Sequence, residues 1–387
     1  GNKNTSNKSW PVQVKGGSSG REYLTDVVQV TAGNWHSMTL KANGTVYAWG
    51  WEQYGQLGNG YTTNSYDSDQ YSGEKIYSAP VQVLNGAQTS ETGYLKEVVQ
   101  IDAMGGTGHN DRNRFGTSLA VTESKEVYGW GNSLYGALGV KSSIVSKPVR
   151  VGTDISNAVQ VAGGGKSGSD DWHVNSIGNT GYTYILKEDG TVSSLGYNVN
   201  GELGNGAKAS TTAVQKVSNL TEIMQVAGSK NGNFGAAVKE DGTVWTWGNN
   251  TNGQLGNNST ENSSSPVQVK SADGNGYLTN IIEISAGSDH NMALSKDGTV
   301  FTWGSNAYGQ LGNGSSVNSM LPVQVKSADG NSFLTDIVQI SAGYVHSMAL
   351  KKDGTVWTWG RNDGGQLGNN NTSNKSLPVQ VKGGASG

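Results

Sequence analysis

The sequence predicts an all-β fold, a β-propeller of four-stranded antiparallel blades. Three observations carry that expectation. One unit recurs six times along the 387 residues. Each copy reads as four short β-rich runs with turns at constant places. Five copies end their third run in Trp-Gly, at Trp49, Trp130, Trp247, Trp303 and Trp359, with Leu195 in the remaining one.

The last copy, IVQISAGYVHSMALKKDGTVWTWGRNDGGQLGNNNTSNKSLPVQVK, runs from Ile337 to Lys382. Its first run, IVQIS, is β-branched and alternating, and it stops at Ala-Gly, where a missing side chain lets backbones crowd. HSMALK is the second run. Asn43-Gly44, Asp189-Gly190, Asp241-Gly242, Asp297-Gly298 and Asp353-Gly354 then suit a two-residue type I′ hairpin turn, and the second copy has Glu123-Ser124-Lys125 instead. TVWTWG is the third run. PVQV is the fourth, and a proline opening it suits an outer edge, where the missing N–H costs no ladder bond.

The valine after that proline position falls at Val81, Val149, Val214, Val267, Val323 and Val379, with spacings of 68, 65, 53, 56 and 56 residues. The short spacings define the unit and the long ones mark loop insertions. A lone sheet of this size is marginal, because neither face is covered. A radial arrangement lets each sheet pack on the next. The Trp-Gly indoles and the leucines of the following Leu-Gly (Leu57, Leu138, Leu203, Leu255, Leu311 and Leu367) are expected between sheets.

The repeated pattern AG-x-x-H-[SN]-M-A-L-[KS]-x-D-G-T-V-[WF]-T-W-G-x-N-x-x-G-Q-L-G resembles the repeats of the regulator of chromosome condensation (RCC1) over nearly the whole chain. The resemblance, here taken as one of bacterial type, implies a seven-bladed propeller. Six full modules are readable, so the expectation is a six- or seven-bladed ring forming one domain over residues 1–387. Residues 2–20 nearly duplicate the C-terminal NNTSNKSLPVQVKGGASG, so 1–20 reads as a partial repeat copying the C-terminal outer strand. Three readings of that surplus strand stay open. It adds to or replaces the last outer strand, it belongs to a seventh blade outside these residues, or it pairs with another copy of the chain.

Composition narrows the function classes. Apolar residues are 34% and charged residues 15%, but 11 Trp, 16 Tyr and a net charge of -3 favour folding over disorder. With 27 Lys+Arg against 30 Asp+Glu and no basic run, nucleic acid is not an expected partner. The lack of any long apolar stretch argues against membrane insertion. Zero Cys excludes disulfides, thiol catalysis and thiolate metal sites. Cys-free composition rich in Asn, Ser, Thr and Gly points to an extracellular or surface location in a bacterium, and residues 1–20 do not form a signal peptide.

His36, His290 and His346 share one repeat slot and read as architectural. Two insertions between first and second runs hold the binding candidates: His109, Asp111, Arg112 and Arg114 in GGTGHNDRNRFG, and Asp170, Asp171, Trp172 and His173 in GGGKSGSDDWHVNSIGNTG. Trp35, Asp289 and Tyr344 follow the Ala-Gly and belong to the same face, where aromatics are favoured anchors. The Asp67-x-Asp69 pair lacks the closing Glu of a calcium loop. The run Gly163-Gly164-Gly165-Lys166 lacks the full phosphate-loop pattern. No catalytic set, metal or cofactor is expected. Guanine-nucleotide exchange, which the resemblance suggests, is not expected without a basic tail. The reading is a non-enzymatic scaffold that recognises a protein or glycan through loops on one face. The alternative is a structural repeat protein that self-associates head-to-tail through its terminal strands.

Overall fold

The computed structural model describes residues 1–6, 8–9, 11–16, 22–62, 76–86, 92–105, 116–166 and 180–383. Each repeat folds as an antiparallel meander, because short alternating runs joined by tight turns pair with their chain neighbours first. Sheet 1 holds β1 (Val27–Ala32), β2 (His36–Lys41), β3 (Val46–Trp51) and β4 (Ile76–Gln82). Sheet 2 holds β5 (Val98–Gly105), β6 (Gly116–Thr122), β7 (Val127–Asn132) and β8 (Ile144–Arg150). Sheet 3 holds β9 (Ala158–Gly164), β10 (Tyr182–Lys187), β11 (Val192–Gly196) and β12 (Thr211–Lys216). Sheet 4 holds β13 (Ile223–Gly228), β14 (Phe234–Lys239), β15 (Val244–Gly248) and β16 (Ser263–Gln268). Sheet 5 holds β17 (Ile281–Ala286), β18 (His290–Ser295), β19 (Val300–Gly304) and β20 (Ser319–Gln324). Sheet 6 holds β21 (Ile337–Ala342), β22 (His346–Lys351), β23 (Val356–Gly360) and β24 (Lys375–Gln380).

The chain divides into two compact units. Unit 1 comprises residues 1–5, 13–199 and 209–216, and so holds sheets 1 to 3. Unit 2 comprises residues 6–12, 200–208 and 217–387, and so holds sheets 4 to 6. Within each unit the first strand of a sheet packs on the first two strands of the sheet before it. In unit 2, Met292, Leu294 and Val300 of sheet 5 meet Ile337, Ile340 and Ala342 of sheet 6 in one buried cluster.

One bond recurs for four of the five Trp-Gly tryptophans. Trp303 and Trp359, both fully buried, donate their indole N–H to the carbonyls of Gln254 and Gln310 in the preceding sheet's Gly-Gln-Leu-Gly loop, at 2.9 Å each. Trp247 does so to Glu202 at 2.8 Å, and Trp130 to Gln56 at 3.1 Å. Burying one indole is worth several kcal/mol at roughly 25 cal/mol/Å² over up to about 250 Å². Trp49 differs from its four counterparts in being half-buried. The leucines of Leu-Gly are buried at every copy.

Two local expectations change. The Asx-Gly turn is not type I′, since only its glycine has positive φ (75° at Gly44). Gly44 N–H bonds the Lys41 carbonyl at 2.9 Å, and Lys41 N–H bonds Thr45, which makes a type I turn followed by a glycine bulge. Asn43 Oδ1 accepts both the N–H and the hydroxyl of Thr45, so the Asx residue is a side-chain cap on the turn. In the second copy Lys125 takes the glycine place, at φ 61°. The second change concerns proline. It does not open the fourth strand but sits inside it, at an irregularity between the pairs Gly248↔Ser263 and Thr246↔Val267, where Pro266 skips a ladder bond.

The segment before β1 continues the repeat. Lys15 bridges Tyr23, as Lys270 bridges Tyr277 and Lys326 bridges Phe333. β24 keeps the fourth place in sheet 6, so the N-terminal strand does not replace it. Among the described residues no helix is long and apolar enough to cross a membrane.

Candidate functional site

The meander places two connections of every sheet, first-to-second and third-to-fourth, at the same end. In unit 2 that end carries the segments 229–233, 287–289 and 343–345. They are tied to one another through main-chain carbonyls. Ser288 N–H bonds the Tyr344 carbonyl at 3.0 Å, and Ser229 Oγ donates to the carbonyls of Gly287 and Ser288 at 2.7 and 2.8 Å. Asp289 accepts from Ser288 Oγ at 2.9 Å and from Gln254 Nε2 at 3.3 Å.

Beside them lies a cluster from the third-to-fourth connections. Arg361 N–H bonds the Val345 carbonyl at 3.0 Å, which sets the arginine next to Tyr344. Its guanidinium lies 5.3 Å from the centre of the Tyr308 ring, within cation–π range, and its Nε donates to Asp363 at 2.9 Å. That hydrogen bond raises the Arg361 pKa and holds the Asp363 carboxyl below its ordinary value. Tyr344 and Asp289 are half-buried, and Tyr308 is exposed. The result is a patch of two aromatics, a clamped arginine and two acids on the connections at this end of the sheets.

The repeated Ala-Gly-x-x-His slot builds the floor beneath. A side chain on Gly287 would meet the His290 imidazole at 2.2 Å, so the glycine exists to admit the ring. His290 is fully buried and donates to or accepts from Ser347 Oγ of the next sheet at 3.1 Å. Ser347 Oγ in turn donates to the Gln310 carbonyl at 2.8 Å. The serine proton is committed to that carbonyl, so His290 Nε2 carries the proton that it shares with Ser347. A buried imidazole holding its proton toward the serine cannot act as its base. Desolvation, with the neighbouring His346 adding to it, pushes the His290 pKa down to about 3. His36 repeats the arrangement in unit 1: its Nε2 lies 2.9 Å from Ser118 Oγ, which donates to the Gln56 carbonyl at 2.8 Å. These histidines are architectural, as their shared slot suggests. The serine partner comes from a different repeat, which sequence order hides.

In unit 1, Trp35 is half-buried and its carbonyl accepts from Trp51 N–H at 2.8 Å. His109, Asp111, Arg112, Arg114, Asp170, Asp171, Trp172 and His173 lie outside the described residues. The stem of the second insertion is defined: Thr180 and Lys166 exchange three hydrogen bonds of 2.8–2.9 Å. Gly164 in the glycine run is there for packing, since a side chain would meet the Tyr182 ring at 2.2 Å. Among the described residues no group of three His, Cys, Asp or Glu could hold a metal ion. Of the sequence candidates, Asp289 and Tyr344 come together in unit 2. Tyr308, Arg361 and Asp363 were missed. Their signal was available: they occupy the variable places of an otherwise repeated Trp-Gly-x-Asn-x-x-Gly.

Six four-stranded meanders, stacked first strand upon first strand within each unit, define the blades of a β-propeller. A profile described as "RCC1-like domain" matches residues 180–386, and profiles of the regulator of chromosome condensation (RCC1) repeat match 27–56, 43–107 and 125–167. The chain belongs to the RCC1-like domain family. It is 27% identical to the ultraviolet-B receptor UVR8 of Arabidopsis thaliana over 360 residues, 92% of this chain and 70% of that protein. It is 27% identical to the mouse E3 ubiquitin-protein ligase HERC2 over 353 residues, 90% of this chain but only 6% of the ligase. Among solved structures, human WBSCR16 superposes with a TM-score of 0.69 at 22% identity, covering 93% of this chain and 83% of that one. Prp20p of Saccharomyces cerevisiae gives 0.69 at 21% identity, covering 93% and 78%.

Proposed function

We propose that the chain is a non-enzymatic protein-binding scaffold that uses the sheet ends where the first-to-second and third-to-fourth connections meet. The observation that carries this reading is the Tyr308–Arg361–Asp363–Tyr344 cluster. Arginine and tyrosine are enriched among interface anchors, and anchors held by a rigid frame lose little entropy on binding. The family supports it: Prp20p binds Gsp1p and histones. Protein is favoured over glycan on that ground. An extracellular bacterial setting stays part of the proposal on composition alone, since the relatives named here come from a plant, a mouse, a human and a yeast.

Affinity capture from a cell extract on the immobilised chain tests the reading. Tyr308→Ala combined with Arg361→Ala should lose the captured proteins at least tenfold. Deglycosylating the extract beforehand should leave capture intact. Equal capture by the double variant would assign binding elsewhere, and loss on deglycosylation would make the ligand a glycan.

A further inference from the structure

An outer strand has one edge with no neighbour in its sheet. A proline on that strand guards the edge, because it offers no N–H to an incoming strand. Five of the six outer strands carry one: Pro80 in β4, Pro148 in β8, Pro266 in β16, Pro322 in β20 and Pro378 in β24. The outer strand of sheet 3, β12, reads TTAVQK and has none.

The ladder shows which residue stands in the proline's place. Ser194 pairs with Gln215, as Thr246 pairs with Val267 and Thr302 with Val323. Thr211 Oγ1 accepts from Ala213 N–H at 3.0 Å, as Ser263 Oγ accepts from Ser265 N–H at 3.4 Å. Gln215 therefore takes the valine slot and Val214 takes the slot of Pro266, so matching valine to valine along the sequence misplaces this strand by one residue. Alternation fixes the direction of the slot. Val269 N–H bonds the Val244 carbonyl at 2.9 Å, so Val267 also faces β15, while Pro266 and Gln268 face away. By the same register Val214 and Lys216 turn their N–H and C=O groups to the open side of β12.

The rest of the strand suits an added neighbour. Threonine and valine favour extended backbone. Thr212 and Ala213 are exposed, and Val214 and Gln215 are half-buried. Val214 is held from the side of sheet 2, since a side chain on Gly152 would meet its Cγ2 at 3.0 Å. Its carbonyl accepts from Gln215 Nε2 at 3.2 Å and keeps a second lone pair. The charge is one-sided. Between Glu202 and Glu222 the sequence carries Lys208 and Lys216 and no acid. Lys216 is exposed at the end of β12. Lys141, also exposed, stands two residues after Gly139, where a side chain would meet the Thr212 carbonyl at 3.5 Å.

We propose that the open edge of β12 is a docking site for an acidic extended segment of a partner protein, which adds to sheet 3 as a fifth strand. The main chain of Val214 and Lys216 supplies the donors and acceptors of the new ladder, and carboxylates on the segment meet Lys216 and Lys141. A second copy of the chain is the poorer occupant. Pairing β12 with itself brings lysine to both sides of the ladder and a carboxylate to neither, and like charges across a ladder repel. The site belongs to unit 1 and shares no residue with the Tyr308–Arg361 cluster, so it is independent of the function drawn from that cluster.

The probe is a peptide of about eight residues alternating glutamate and threonine, long enough to cover an edge strand. It is titrated into the full chain by calorimetry at low salt, where it should bind. Val214→Pro should weaken that binding at least tenfold. The variant carries the residue that five other sheets hold in this slot, so its unfolding midpoint should match the parent's. Lys141→Glu combined with Lys216→Glu should weaken binding as much, and a lysine–threonine peptide should not bind. A probe N-methylated at every residue keeps its charges and loses its donors. It too should bind at least tenfold more weakly, and this comparison holds whether or not Val214→Pro folds. No binding of the glutamate–threonine probe overturns the proposal. Equal binding by Val214→Pro or by the N-methylated probe makes the contact purely ionic and also overturns it. Dimerisation of the chain alone, abolished in Val214→Pro, assigns the edge to a second copy and overturns it too.

Discussion

Glu283 shows how a single atom type decides the worth of a junction. Its slot holds Gln29, Gln100, Gln160, Gln225 and Gln339 in the other repeats. Gln29 accepts from Ile101 N–H at 2.9 Å and donates to the Ile101 carbonyl at 3.0 Å, pairing like a strand residue with the next sheet. Glu283 accepts from Ile340 N–H at 3.3 Å but, once ionised, cannot donate. Burial pushes its pKa up to about 7. The folded state therefore holds a proton that the unfolded state has released, and stability falls as pH rises from about 4.5 to 7. Glu283→Gln should stabilise by about 1–2 kcal/mol at pH 8 and by little at pH 4.5. Urea unfolding at the two pH values checks this, and an equal shift at both would sink it. His290 acts in the opposite direction. Its folded pKa near 3 lies below the unfolded value, so its contribution is complete above about pH 6.5 and declines as pH drops toward 3.

The glycine bulges between second and third strands carry a lesson at the level of the element. Gly44 and Gly354 occupy equivalent turns, at φ 75° and 84°. A side chain on Gly44 would press within 3.0 Å of Glu97 N, at the entry to β5, while one on Gly354 has open space. Both alanine substitutions incur the left-handed backbone penalty of about 1 kcal/mol. Gly44→Ala should cost about 1 kcal/mol more than Gly354→Ala, measured as a difference in unfolding midpoint. Strand count, order and the burial of four of the five Trp-Gly indoles were legible in the sequence, because period, β-branching and Asx-Gly punctuation repeat. The turn type was not. Asx-Gly alone fits both a type I′ turn and a type I turn with a glycine bulge, and the choice rests on whether Asn43 caps Thr45. The site was legible at Asp289 and Tyr344, which stand next to a recognisable motif. Arg361 was not, because its value comes from Tyr308, more than 50 positions earlier and one sheet away.

A repeat protein of this kind is stabilised mainly across junctions, so equivalent positions should differ in energetic weight according to where their sheet stands. Val30 and Ile340 share one slot of the first strand. Ile340 is 4% exposed, packed in unit 2 against the sheet before it, and Val30 of unit 1 is 70% exposed. An aspartate in place of Ile340 would leave an unpaired charge against Met292 and Leu294, at a cost of about 3–5 kcal/mol. Val30→Asp places its carboxylate in water and should change stability by no more than about 0.5 kcal/mol. Guanidinium unfolding of the two variants separates the cases. If Val30→Asp proved as damaging as Ile340→Asp, the β1 face would be covered in solution, by a second copy or another module, and its exposure would have to be reread as half of an occupied junction. If both were mild, junction packing would not be the main source of stability, and the periodic tryptophans would need another explanation. The difference between two identical slots is thus a direct measure of how much each sheet owes to its neighbour.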